Sequence, residues 1–136
     1  MSVPRPDAPL HAAFGGERTL MRIHIGEADR FDGRPLHRAV VEALRARGLA
    51  GATVTQCIAG FGATGAIHSW STELGALDLP VVVECVDEEA RIQAVLPELD
   101  RMIGGGLITL ERAEVVAYRA PEPPGSAGGA GAGGVA

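Results

Sequence analysis

Hydrophobic and polar residues follow regular patterns along the middle of this 136-residue chain. Between Leu20 and Gly26 the two kinds of residue alternate, which is typical of a β-strand with one buried face. Met21, Ile23 and Ile25 occupy one face of this predicted strand, and Leu20, Arg22 and His24 occupy the other. We therefore expect the ordered region to begin with a half-buried strand.

A helical spacing of apolar residues follows this strand. Pro35 stands just before it, and the fixed φ of proline suits the first helical position. Gly48 stands where a left-handed cap would end the helix. The recurring positions between them are Leu36, Val40, Ala43, Leu44 and Arg47. The pattern predicts a first amphipathic helix.

Two more strands and a second helix are predicted further along. The β-branched runs Thr53–Ile58 and Pro80–Val86 have strand composition. Asp87, Glu88 and Glu89 then place acidic groups where a helix cap and the helix dipole favour them. The apolar positions of the second helix are Ile92, Val95, Leu96, Leu99 and Ile103. Pro97 removes a hydrogen bond inside this helix, so we expect a kink or a break into two short helices.

The order of these elements predicts an α+β fold. Leu107–Tyr118 supplies a last strand, or a pair of strand pieces, so two strand-helix-strand units occur in series. We expect a ferredoxin-like βαββαβ sandwich in which a four-stranded antiparallel sheet carries both helices on one face. The third strand should lie between the first and the second.

The uncovered face of such a sheet is less polar than a water-facing surface would be. Its charges are isolated among Leu20, Val82 and Val86. This composition favours burial against other copies of the chain, where Glu84 could pair with Arg22 or His24. Simple exposure to solvent is the alternative.

Bulk composition limits the classes of function. Arginine supplies all 12 basic residues against 17 acidic ones, a net charge of -5 that argues against non-specific nucleic-acid binding. Cys57 and Cys85 have no metal or redox spacing and are expected to be buried thiols in a reducing cytoplasm. Apolar runs are too short to span or insert into a membrane.

The two ends of the chain differ from its middle. Residues 1–18 are rich in proline and glycine and are expected to form a flexible arm. Residues 120–136 are almost entirely glycine, alanine and proline, a composition that cannot offset its ordering entropy and predicts a disordered tail. The folded domain is thus predicted to span 19–119.

Two glycine clusters are the leading candidates for ligand binding. Gly60, Phe61 and Gly62 open an insert of about twenty residues, too long for a hairpin turn and hence expected to be functional or mobile. Glycine permits close approach of a ligand, and Phe61 could stack on a base or pack in the core. The N–H groups of Gly104, Gly105 and Gly106 could form an anion nest, or the triplet could be a plain helix cap and turn.

Charged residues and histidines add weaker candidates. Arg22, Arg101 and Arg119 lie near element ends and could bind phosphate, although each could equally be a solvated charge. His24 and His68 lack a second ligand at metal spacing. The acidic loop from Glu27 to Asp32 could gather Mg²⁺ or could simply be solvated. Loop residues Ser69, Ser71, His68 and Glu73 do not form a catalytic arrangement, so no enzyme is predicted.

Several segments together resemble the DUF190 family across nearly all of the folded region. They are Arg22–Arg30, Gly33–Leu36, Gly48–Val54, Gly60–Gly62, Ile67–His68 and Asp78–Glu84. The family is regarded as related to PII and CutA proteins, and the resemblance implies a ferredoxin-like subunit that assembles as a homotrimer.

The resemblance also implies roles for the two glycine clusters. In PII-type proteins the insert between the second and third strands is the effector-facing T-loop, which matches Gly60–Leu79 here. The glycine-rich turn before the last strand is the B-loop that helps to hold a nucleotide phosphate between subunits, which matches Gly104–Gly106. PII proteins also place basic residues after the last strand, where Arg119 stands. The lysine-bearing turn and the modified tyrosine of PII proteins have no counterpart.

The leading hypothesis is therefore a cytoplasmic PII-like signalling protein. It would bind a small anionic effector, an adenine nucleotide with or without Mg²⁺, in clefts between subunits. It would act on a partner through the long loop and its residues Ile67, His68, Trp70 and Glu73. Some relatives are associated with fluoride-channel proteins, which points to a membrane transporter or channel as partner. The alternative is a CutA-like metal-responsive or structural trimer without a nucleotide site.

Overall fold

The computed structural model describes residues 15–62, 65, 67–69 and 78–119. The chain divides into a main body, Arg18–Ala113, and a smaller unit composed of its two ends, of which residues 15–17 and 114–119 are described. The residues of the predicted arm before position 15, and the predicted tail from position 120, lie outside the described residues.

Four long strands and two helices build the main body. In chain order the elements are β1 Gly16–Gly26, β2 Arg30–Phe31, β3 Arg34–Pro35, α1 Leu36–Ala46, β4 Thr53–Gln56, β5 Ala59–Gly60, β6 His68–Ser69, β7 Pro80–Asp87, α2 Glu89–Met102 and β8 Leu107–Val115. The main sheet has the order β4-β7-β1-β8, and β7 runs antiparallel to both of its neighbours. The third long strand thus lies between the first and the second, which confirms the α+β ferredoxin-like fold.

The core lies between the sheet and the two helices. Alternation in β1 buries Met21 and Ile23 completely, and Val81 and Val83 of β7 lie beside them on the same face. The helices contribute Leu36, Ala39, Val40, Ala43, Leu44, Ile92, Val95, Leu99 and Met102. The predicted inward face of β1 is confirmed. The predicted helix faces are confirmed except at Arg47, which is exposed, and at Leu96 and Ile103, which are only partly buried.

Helix α1 ends as its sequence predicts. Gly48 has a φ of 78°, a conformation that glycine adopts without strain. The N–H of Gly48 donates to the carbonyl of Arg45 over 3.0 Å, and the N–H of Leu49 donates to that of Leu44 over 3.1 Å. These two bonds form a Schellman motif, so the chain leaves the helix with its last carbonyls satisfied.

Helix α2 differs from the prediction at Pro97. The helix runs unbroken from Glu89 to Met102 with Pro97 inside it, so the expected break into two short helices is wrong. Pro97 and Gln93, whose carbonyl loses its helical donor, are both on the exposed side. Water can therefore satisfy that carbonyl, while buried Val95 and Leu99 hold the turns on either side.

Several element boundaries also differ from the sequence prediction. β8 ends at Val115, three residues before the predicted Tyr118. β1 begins at Gly16, four residues before Leu20. The sequence prediction missed these first residues because they are polar and show no hydrophobic alternation. β4 ends at Gln56, and the residues that follow form the short β5, which pairs with β6 as a small hairpin inside the long insert. Pro35 precedes the first helical residue instead of occupying it.

The open face of the sheet carries an ionic cluster within one chain. Arg22 and Glu84 lie directly opposite each other on β1 and β7, and the Arg22 Nε donates to Glu84 over 2.8 Å. Glu111 on β8 also accepts from Arg22. The predicted pairing of Glu84 with Arg22 therefore occurs between neighbouring strands of one subunit and does not need a second copy.

Asp87 joins the end of β7 to the loop before β4. Its carboxylate is 1% exposed and accepts from the N–H of Ala50 over 2.8 Å and from that of Glu88 over 2.7 Å. Arg91 approaches the same carboxylate to 3.8 Å and donates to the carbonyl of Gly48. The acidic run was predicted to cap α2, but the N-cap residue Glu88 makes no side-chain cap hydrogen bond. Asp87, the first member of the run, instead ties two distant segments together.

The two cysteines differ in accessibility, which gives a testable difference in reactivity. Cys85 is buried, and burial, aided by the charge of Asp87, raises the pKa of its thiol to about 12. Cys57 is only partly buried, so the prediction of two buried thiols holds for Cys85 alone. Because the thiolate is the reactive form, Cys85 should not react with a disulfide reagent at about pH 8 until the protein unfolds.

The measurement is a count of reactive thiols in native and denatured protein. The Cys57→Ser variant isolates Cys85, and rapid labelling of that variant in its native state would contradict the prediction.

The raised pKa of Cys85 also makes the stability of the fold depend on pH. The thiol of an unfolded chain has a pKa of about 8.5, well below that of Cys85 in the folded protein. The stability contributed by neutral Cys85 is therefore complete below that pH and is lost as the pH rises toward about 12.

Candidate nucleotide site

One of the two predicted glycine clusters packs on the second half of β1. Gly104–Gly106 connects the end of α2 to the start of β8. A Cβ at Gly106 would lie 2.7 Å from the carbonyl oxygen of His24 and 3.1 Å from a methyl group of Ile25. The third glycine thus allows the turn to approach the β1 backbone.

The first two glycines of the turn are open. A Cβ at Gly104 or Gly105 would meet no other atom within 4 Å. Among the turn and cap hydrogen bonds of the described residues, none uses the N–H of Gly104 or Gly105. These two residues therefore offer backbone donors on a surface with room for a ligand, while Gly106 anchors the turn.

This division of roles predicts different effects of the same small substitution. Gly106→Ala should lower the free energy of unfolding by about 2 kcal/mol, because the new methyl group collides with the backbone of β1. Gly105→Ala is the matched control and should change it by less than about 0.5 kcal/mol. Urea denaturation of both variants measures the difference, and equal stabilities would contradict this packing.

The second glycine cluster lies at the same end of the sheet. A Cβ at Gly60 would lie 3.0 Å from the side chain of Pro80, the first residue of β7. Pro80 pairs with Gly26 at the end of β1, and its carbonyl accepts from the N–H of Cys57 over 2.8 Å. The base of the long insert is thereby fixed beside the ends of β1 and β4.

The two clusters adjoin different edge strands of the sheet. Gly106 leads into β8, and Gly60 follows β4, and these are the two edge strands of the order β4-β7-β1-β8. Gly60 packs against Pro80 of the inner strand β7, however, and Gly106 packs against the backbone of the neighbouring inner strand β1. Both clusters therefore lie at the end of the sheet where β1 ends and β7 begins.

An exposed apolar pair lies on the hairpin at the base of the insert. Phe61 is 72% exposed and Ile67 is 75% exposed. Ala59 pairs with Ser69 and Gly60 with His68, and Phe61 and Ile67 are the residues next to this pairing in the chain. The alternative that Phe61 is a core residue is therefore wrong. Of the other predicted loop residues, Trp70 and Glu73 lie outside the described residues.

The predicted arginines occupy three different surroundings. Arg22 is held by Glu84 and Glu111, and its hydrogen bond to Glu84, followed by the charge of Glu111, raises its pKa, so it is engaged within the sheet. Arg119 lies in the smaller unit after β8. Arg101 lines a depression of about 330 Å³ on the helical side of the main body, beside Phe31, Arg34, Ala39, Glu42, Ala43, Glu98 and Met102.

Two carboxylates of the acidic loop after β1 accept hydrogen bonds from the protein itself. Asp29 accepts from the N–H of Gly26 over 2.9 Å, and Glu27 accepts from the amide of Gln56 over 2.7 Å. Within the described part of the chain, no three metal-ligating side chains come together. Nor does any described helix have the length and apolarity needed to cross a bilayer.

Comparison with known proteins settles the family. Residues 18–115 match the model of the DUF190 family, described as "Uncharacterized ACR". The chain belongs to the DUF190 family. Relatives include a UPF0166 protein of Aquifex aeolicus, 41% identical over 74% of this chain and 94% of the relative. Another is a UPF0166 protein of Methanocaldococcus jannaschii, 36% identical over 67% of this chain and 84% of the relative.

Solved structures resemble this DUF190 protein in fold. One, designated a PII-like signaling protein from Thermus thermophilus, matches with a TM-score of 0.55 at 18% identity over 74% of this chain and 91% of its own. Another is CPII, a nitrogen regulatory PII-like protein from Thiomonas intermedia. It matches with a TM-score of 0.51 at 14% identity over 73% of this chain and 88% of its own. The latter was solved bound to ADP, AMP and bicarbonate.

Two contacts at this end of the sheet were missed by sequence reasoning. Asp78 accepts a hydrogen bond from the N–H of Ala28 over 2.8 Å, and its carboxylate fills the space beside Gly26. A glycine at the end of a strand signals close approach of another group. The sequence does not show which group approaches, because Asp78 lies fifty positions away.

Proposed function

We propose that this DUF190 protein is a cytoplasmic PII-like regulatory protein. It binds a small anionic effector, an adenine nucleotide, in clefts between subunits of a homotrimer. It acts on a partner protein through the long insert that begins at Gly60. The observation that carries this proposal is the glycine turn 104–106, anchored on β1 by Gly106 while Gly104 and Gly105 remain open.

The chemistry of the turn suits a phosphate group. Successive backbone N–H groups in a glycine-rich turn can converge on an anion without a helix N-terminus. Gly105 leaves room for the ligand to reach the backbone. The ADP and AMP bound to CPII give the nucleotide as the first effector class to test, and its bicarbonate gives a second anion.

The proposed site lies between subunits. There, Phe61 and Gly62, which follow the edge strand β4, would meet the glycine turn of a neighbouring copy, which leads into the other edge strand β8. Phe61 is exposed and is therefore available to stack on the adenine ring. Aromatic side chains can stack on any nucleobase, because every base has a π face. The partly buried Leu20, Val82 and Val86 on the open sheet face provide an apolar surface for assembly.

In this role the residues of the site bind the effector and do not catalyse a reaction. The turn would supply backbone donors, and Arg101, near the end of α2, would supply positive charge. Arg119 stays a predicted phosphate ligand. Binding acts by shifting the population of conformations that the partner recognises. Mg²⁺ is treated as an optional companion of the phosphates.

The test combines the oligomeric mass of the full chain with a binding screen. Light scattering gives the mass, and calorimetry measures binding of ATP, ADP, AMP, cyclic AMP and bicarbonate, each with and without Mg²⁺. Adenosine and inorganic phosphate separate recognition of the base from recognition of the anion. Saturable nucleotide binding by a trimer supports the proposal, whereas a trimer indifferent to every nucleotide and anion overturns it.

A further inference from the structure

The turn between β1 and β2 holds the returning end of the long insert and the end of β4, from which the chain departs toward the insert. At the returning end, the N–H of Glu27 donates to the carbonyl of Leu79 over 2.9 Å, and the N–H of Ala28 donates to Asp78 Oδ1 over 2.8 Å. At the departing end, the side chain of Gln56 donates to that of Glu27 over 2.7 Å. One short turn is therefore the common attachment of two segments that lie more than twenty positions apart in the chain.

The turn is itself braced by local hydrogen bonds. Asp29 Oδ2 accepts from the N–H of Gly26 over 2.9 Å, and the N–H of Asp29 donates to the carbonyl of Gly26 over 3.2 Å. The carbonyl of Asp29 then accepts from the N–H of Leu36 at the start of α1 over 2.8 Å. The attachment point is thus connected to a buried helix start.

Gly26 leaves the space that the Asp78 carboxylate occupies. A Cβ on residue 26 would lie 2.6 Å from Asp78 Oδ1 and 3.2 Å from its Cγ. Gly26 has no positive φ, so its backbone conformation does not require glycine. The close carboxylate is therefore the structural reason for a glycine here, and any side chain would displace the acceptor from Ala28.

We propose that Asp78 is a positioning residue that latches the returning end of the long insert to the β1–β2 turn. Gly26 is the complementary half of this latch. The latch matters for signalling only if the insert faces the partner, so in that respect it rests on the proposed function. Gly26, one half of the latch, lies two residues after His24, and Gly106 packs against the carbonyl of His24. The glycine turn and the latch are therefore in contact with the same short stretch of β1.

Amide hydrogen exchange of the ligand-free full chain, followed by NMR, tests the latch directly. Asp78→Ala should speed exchange of the Ala28 amide about tenfold, because a hydrogen bond to a carboxylate is lost. Gly26→Ala should give a similar increase by displacing the carboxylate. Asp78→Asn keeps an acceptor oxygen and should stay within about threefold of the wild type. Asp100→Ala, an exposed carboxylate on α2, is the control and should leave Ala28 unchanged.

The double variant separates the latch from general destabilisation. If Gly26→Ala acts by displacing Asp78, then adding it to Asp78→Ala should cause little further increase at Ala28. Fully additive increases, or unchanged exchange in Asp78→Ala, would overturn the proposal. Exchange of the buried Val83 and Leu99 amides reports global opening, and it should remain the same in all variants.

The same samples keep this inference distinct from the proposed function. The exchange measurements contain no nucleotide, so they test the latch whether or not the protein binds one. Failure of the nucleotide screen with an intact latch would overturn the proposed function alone. Nucleotide binding by a protein whose Ala28 amide ignores Asp78 would overturn the latch alone.

Discussion

Replacing Gly105 with glutamate is expected to weaken adenine nucleotide binding about 100-fold. A carboxylate about 4 Å from a phosphate costs between about 1 kcal/mol in bulk water and about 4 kcal/mol near a protein surface, and 1.4 kcal/mol corresponds to tenfold in affinity. The new side chain meets no protein atom at its Cβ, so the fold should accept it. Calorimetry with ADP measures the loss.

Gly105→Gln is the matched control, since it has nearly the same size without the charge. It should bind ADP several-fold more weakly than the wild type but much more tightly than Gly105→Glu. High salt should narrow the difference between the two variants, because it screens exposed charges. Equal affinities of wild type and Gly105→Glu would remove the glycine turn from the site, while equal losses in both variants would indicate a steric cause.

Replacing Asp87 with alanine is expected to lower the free energy of unfolding by about 3 kcal/mol. The carboxylate is buried and accepts from two backbone N–H groups, one in the loop after α1 and one at the start of α2. Removing it deprives both donors of this acceptor and takes away the charge that Arg91 approaches. Urea denaturation at constant protein concentration measures the change.

Two variants show whether the hydrogen bonds account for this loss. Asp87→Asn retains one acceptor oxygen and should lose about half as much stability. Glu88→Ala changes the neighbouring exposed acid and should cost less than about 0.5 kcal/mol. A loss in Glu88→Ala as large as in Asp87→Ala would assign the effect to the helix dipole instead of the buried carboxylate.

Local patterns in the sequence predicted most of the fold. Met21, Ile23 and Ile25 alternate because one face of β1 packs against helices, and Gly48 marks the end of α1 through its left-handed conformation. The order of elements and the handedness rule then sufficed to place the third long strand between the first two. These features depend on short stretches of chain, so one sequence contains enough information.

Features that depend on contacts between distant residues were predicted less well. Pro97 is tolerated because Val95 and Leu99 pack against the sheet, which outweighs a local preference for breaking the helix. Asp87 was assigned only a capping role because its bond to Ala50 spans thirty-seven positions. Glu84 was predicted to pair with Arg22 or His24 between copies of the chain, whereas the strand register places it opposite Arg22 within one subunit.

The candidate site was predicted as two glycine clusters, and their relative positions came only from the structure. Glycine in sequence does not reveal what approaches it. Gly106 meets the β1 backbone, Gly26 meets the Asp78 carboxylate, and Gly105 meets nothing. The roles of Arg101, Arg119 and the loop around Ile67 stay predictions, because the chain alone does not show what they contact in an assembly.

The glycine turn has a consequence for how this family can diversify. Gly106 is held by its contact with the β1 backbone, so a side chain there costs folding stability whatever the protein binds. Gly104 and Gly105 face open space, so small side chains there should cost little stability. We therefore expect family members that bind different effectors to vary at the first two positions and to keep glycine at the third.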